Sequence, residues 1–70
     1  MSALDKVVSE KIKMRVVADR YAALRAIKIA VDQRGMFTVA KQYGCLVNNS
    51  AEGFAIEFMT AYNNEVSYTY

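Results

Sequence analysis

KIKMRVV, residues 11–17, is the stretch on which the choice of fold turns. Ile12, Met14 and Val16 alternate with Lys11, Lys13 and Arg15, and a period of two with β-branched residues in the apolar set predicts a half-buried strand. The competing reading is helical. From Ala3 to Arg34 the chain has no Gly, Pro or Asn, so nothing forbids one continuous helix through the alternating segment. Length favours the strand: a helix over residues 3–34 would run about 48 Å at 1.5 Å per residue. A 70-residue domain has a radius of gyration of only about 11 Å.

Next along the chain stands DRYAALRAIKIAVDQRG, residues 19–35, which reads as a helix with both ends marked. Asp19 can accept a hydrogen bond from the free N–H groups of a first turn, and Gly35 can adopt the backbone conformation that ends a helix. Tyr21, Leu24, Ile27 and Val31 recur at spacings of three and four and define its expected apolar face. Upstream, within residues 1–9, Ser2 followed three residues later by Asp5 resembles a capping arrangement ahead of Leu4, Val7 and Val8, and a helical turn or two is expected there.

Beyond Gly35 the pattern shifts toward strand formers. Residues 36–47, MFTVAKQYGCLV, are interrupted by Gly44, where a bulge would fit, and NNSAEG (48–53) clusters turn residues. Phe54, Ile56, Phe58 and Tyr62 then alternate with Ala55, Glu57, Met59 and Ala61; Asn63-Asn64 can turn the chain, and Val66, Tyr68 and Tyr70 alternate again. That is a hairpin signature. A helix over 51–62 competes, because Phe54, Phe58 and Tyr62 are four apart, but the alternation on both sides of the turn favours the hairpin.

The expected fold is therefore α+β: a single domain, residues 1–70, with one main helix packed on a three- to four-stranded, mostly antiparallel sheet in the order β-α-β-β-β. The alternative is one long N-terminal helix followed by a three-stranded meander. Leu24, Ile27 and Phe58 are the expected core, joined by Phe54, Tyr68, Val39 and Phe37.

A domain this small buries only about 60% of the surface of its unfolded chain, so a second subunit is an ordinary supplement. The chain has one cysteine and no histidine, which leaves no internal disulfide and no zinc site of the usual ligands, and no cofactor is expected. Cys45 reads as a small buried hydrophobe. The start, MSALDKVVSE, lacks the apolar core of a secretory signal, and no stretch approaches the ~20 apolar residues of a membrane span, so a soluble, cytoplasmic protein is expected. Asn48-Asn49-Ser50 matches the glycosylation acceptor pattern but reads as a turn.

Charge is unevenly placed. Residues 1–41 carry all nine Lys and Arg and four acidic residues, whereas residues 42–70 carry only Glu52, Glu57 and Glu65. Such a split suits an acidic partner or contact between copies of the chain. Catalysis finds little material, because triads and general bases built on histidine are absent and the carboxylates are scattered. Ala40, Tyr43 and Gly44 look like the first helix and turn of a helix-turn-helix unit, but its second helix would have to pass through the turn-like NNS.

These readings rank a non-enzymatic protein-interaction module first, a small regulator or inhibitor that binds by surface contact and forms homo-oligomers. The expected contact residues are Lys11, Lys13 and Arg15 on the first strand, with Ala55, Glu57 and Met59 on the uncovered face of the sheet. A small nucleic-acid-binding protein using the basic segment 11–34 is the alternative.

Overall fold

A computed structural model describes residues 2–49 and 51–65. The described chain forms four helices: α1 (Ala3–Lys13), α2 (Arg20–Arg34), α3 (Met36–Leu46) and α4 (Glu52–Glu65). No strand occurs among the described residues, so both the β-α-β-β-β sheet and the long-helix-plus-meander alternative are incorrect. α1 and α3 touch each other, and α2 and α4 each pack on both of them. The body measures 28 × 26 × 23 Å, with a radius of gyration of 10.8 Å.

The marked helix ends behave as local chemistry requires. Ser2 Oγ accepts from the Asp5 N–H at 3.1 Å, and Asp19 Oδ1 accepts from the Ala22 N–H at 2.9 Å. Gly35, at φ 90° and ψ 151°, does two tasks with one residue. Its N–H donates to the Val31 carbonyl and closes α2, while its own carbonyl accepts from Val39 N–H and opens α3.

The segment 11–17 is not a strand. Its first three residues finish α1, and the chain then reverses in a Schellman turn, with Val16 N–H donating to the Lys11 carbonyl and Arg15 N–H to that of Ile12. Arg15 takes the left-handed conformation this turn needs, at φ 60°. The alternation misled because it presumes that one side of the segment is buried. Here Ile12, Met14 and Val16 are all exposed, and only Val17 packs toward the core.

The expected hairpin is likewise overturned. Residues 54–65 belong to α4, and Asn63-Asn64 lies inside that helix rather than at a turn. Four-residue spacing prevails because Phe54, Phe58 and Tyr62 then share one face. Successive rings lie 6.4 Å apart, and Tyr43 of α3 closes on Phe58 at 5.6 Å. The readings of Val66, Tyr68 and Tyr70 fall outside the described residues.

The core comprises Ala3, Leu4, Val7 and Val8 of α1, Ala23, Ile27 and Ala30 of α2, Val39, Ala40 and Tyr43 of α3, and the Phe54-Ala55-Phe58-Tyr62 face of α4. Ile27 and Phe58 are fully buried as expected, whereas Leu24 is half-buried against the core. The inward face of α2 is rotated from the one the sequence suggests, because the small Ala23 and Ala30 face the neighbouring helices and Tyr21 faces solvent. Phe37, expected inside, is also exposed.

Gly44 is neither a bulge nor a break. It sits within α3 where a Cβ would stand 2.5 Å from the Asn49 carbonyl oxygen and 3.3 Å from Phe54 Cδ1. The α3–α4 connection folds back against that bare backbone in a second Schellman turn: Asn49 N–H donates to the Gly44 carbonyl, with Asn48 left-handed at φ 61°. Asn49 Oδ1 then accepts from Ala51 N–H, as the turn reading of the asparagines anticipated.

Candidate functional site

Arg20, at the start of α2, joins three helices. Its guanidinium donates to Asp5 Oδ1 of α1 at 2.7 Å and, through Nε at 3.0 Å and also through Nη2, to Glu65 Oε1 of α4. The arginine holds the Asp5 carboxyl below its ordinary value, and the two carboxylates raise the pKa of the arginine in turn. These charges are consumed inside the molecule. At the other end of α2, Arg34 adds to the positive field around Lys11, whose pKa is lowered chiefly by burial and further by that cation. Lys11 is half-buried and places Nζ 4.9 Å from the centre of the Tyr43 ring. Burial in turn raises the Tyr43 phenol above its ordinary value.

With Lys11 engaged by Tyr43, the other two basic residues singled out from the sequence remain at the surface. Lys13 and Arg15 are exposed at the tip where α1 ends, with no salt bridge among the described residues. Around them stand Ile12, Met14 (55% exposed) and Val16 (59% exposed). The result is an apolar knob with cations interleaved.

The other three do not join these, and Glu57 is parted from Ala55 and Met59. Ala55, buried, and Met59, half-buried against the core, are four residues apart and share the inward side of α4, whereas the helix turns residue 57 away from them. Glu57 alone is exposed. It borders a shallow groove of about 430 Å³ lined by Ser2, Ala3, Ile56, Thr60 and Ala61, at the opposite end of α1 from the tip. Ile56 was expected on the buried phase of a strand but is 55% exposed. On a helical reading it lies about 200° from Phe54 at 100° per residue, and that signal would have placed it outside.

A second groove, of about 270 Å³, lies between α3 and the start of α4, with Phe37, Lys41, Cys45 and Phe54 on its walls. Cys45 is exposed there, which corrects its reading as a buried hydrophobe. Lys41 Nζ stands 5.3 Å from the Phe37 ring centre.

The helix-turn-helix pattern needs correction as well. A second helix does form, starting at Glu52 after a connection over residues 47–51, so the turn-like asparagines delay that helix without preventing it. Its exposed residues include Glu52, Glu57, Asn63 and Asn64, and none of α4 is Lys or Arg. Carboxylates in that place oppose the phosphate backbone that a recognition helix must approach.

Among the described residues no group of three His, Cys, Asp or Glu is placed to hold a metal ion, and no helix is long and apolar enough to cross a membrane. No protein-family model, curated protein or solved structure matches the chain.

Proposed function

We propose that this protein is a non-enzymatic interaction module that docks an acidic protein surface through the tip formed by residues 12–16. The observation that carries the reading is the exposure of Ile12, Met14 and Val16 side by side with Lys13 and Arg15. Protein interfaces join an apolar centre, in which Met is enriched, to a polar rim. A nucleic-acid backbone would reward the cations but gain little from the three apolar side chains. The acidic exposed side of α4 adds no second basic strip to lengthen such a contact.

Two measurements test this reading. Titration with fluorescent DNA and RNA at low and moderate salt should show only weak binding that salt removes and that Met14→Ser/Val16→Ser leaves unchanged. A protein partner recovered from the source cells should be lost with the same double substitution. Tight nucleic-acid binding that persists at moderate salt and disappears with Lys13→Glu/Arg15→Glu would replace this reading with the nucleic-acid one.

A further inference from the structure

We infer that the tip of one copy docks on the Ile56 face of α4 of a second copy, so that the chain's own acidic surface is a partner of its basic one. The inference rests on the interaction reading above and names the partner. Each surface has an apolar centre and charges of one sign that no salt bridge occupies among the described residues. Met14 and Val16 stand with Lys13 and Arg15 on one, and Ile56 stands with Glu52 and Glu57 on the other. Glu65, the remaining carboxylate of α4, is held by Arg20 and takes no part.

The two surfaces cannot meet within one molecule. Ser2 and Ala3, at the first residues of α1, line the groove beside Ile56, whereas Lys13 ends that helix. Lys13 lies ten residue steps beyond Ala3 along α1, roughly 15 Å along the axis. Complementary patches at opposite ends of one helix are satisfied only between copies. Two copies with their α1 helices antiparallel make both contacts at once and close as a two-fold dimer, whereas one contact repeated from copy to copy grows an open chain. The groove of about 430 Å³ beside Ile56 gives the Met14 side chain a place to enter.

Sedimentation equilibrium at tens to hundreds of micromolar, with charge-reversed variants, tests the pairing. Wild-type protein should associate and should dissociate as salt rises. Lys13→Glu/Arg15→Glu and Glu57→Lys/Thr60→Lys should each weaken self-association more than about tenfold, since like charges then face each other. An equimolar mixture of the two variants should associate again, because the reversed tip meets the reversed groove and the native tip meets the native groove. Both variants change exposed residues, so their helical circular dichroism should match the wild type; Ile56→Ser serves as a second groove variant with no charge change.

A wild-type mass of 7.9 kDa across that range overturns self-docking, and so does a mixture that stays monomeric. If the monomer still captures a foreign partner that Met14→Ser/Val16→Ser abolishes, the interaction reading stands and only its self-directed form fails. Capture indifferent to that substitution would remove the interaction reading itself.

Discussion

The connections after α1 and after α3 close with the same hydrogen bonds and reach opposite ends. Each is a Schellman turn with a residue other than glycine in the left-handed position, Arg15 in one and Asn48 in the other. After α3 the turn folds onto the bare backbone of Gly44, and Leu46 and Val47 pack against the core. After α1 the same turn leaves Met14 and Val16 in solvent. Local hydrogen bonding therefore reverses the chain in both places, while the presence or absence of a neighbouring helix decides whether the reversal becomes core or contact surface.

The largest test of this contrast lies behind the buried turn. Phe58 is fully enclosed and touches the rings of Phe54, Tyr62 and Tyr43. Phe58→Ala should cost about 3–5 kcal/mol, enough to abolish a cooperative thermal transition in so small a domain. A melting curve like that of the wild type would show that the aromatic face of α4 does not organise the core.

Gly44→Ala comes next. Its new Cβ would press on the Asn49 carbonyl oxygen, and backbone that cannot easily yield suggests a loss of about 1–3 kcal/mol in chemical denaturation. An unchanged midpoint would mean that the α3–α4 connection stands farther from α3 than described.

At the exposed turn the sign reverses. Arg15→Gly relieves a left-handed arginine and should raise stability by about 1 kcal/mol, whereas Asn48→Gly should gain only a few tenths because Asn tolerates that conformation better. Equal gains at the two positions would break the comparison. Met14→Ser/Val16→Ser should shift stability by no more than about 0.5 kcal/mol, since neither side chain is covered. A larger loss would place the tip in the core of the molecule rather than on its surface.

The smallest effect concerns acid. Asp5 has a folded pKa lowered from 3.8, chiefly by its hydrogen bond from Arg20. Its contribution is therefore complete above that value and disappears as pH falls below 3.8 toward the folded pKa. Asp5→Asn should flatten the stability profile in that acid range and leave the profile near neutrality unchanged. The groups are partly exposed, so the change should be modest and should shrink with salt.

Several of these features were legible in the chain before any fold was known. The caps at Ser2 and Asp19, the stop at Gly35 and the turn at Asn48-Asn49 all depend on groups within a few residues of one another. The candidate site was only partly legible. Lys13, Arg15 and Glu57 stand out by charge, and all are exposed. Ile56 was concealed because a strand period and a helix period assign it to opposite sides. Lys11 looked like a free cation, yet its place over Tyr43 depends on α3, which lies far along the chain.

The sequence by itself determined where helices can begin and end, because a side chain or a glycine satisfies those backbone groups locally. It also determined the separation of basic and acidic residues along the chain. Only the tertiary structure decided that 11–17 is the end of a helix and its turn, that Phe54, Phe58 and Tyr62 form one buried ridge, and that Arg20 ties α1, α2 and α4 together. The physical reason is that an alternating or four-spaced apolar pattern gains free energy only against a covering surface. For this chain that surface comes from helices distant in sequence, and the residues left without one form its candidate contact surface.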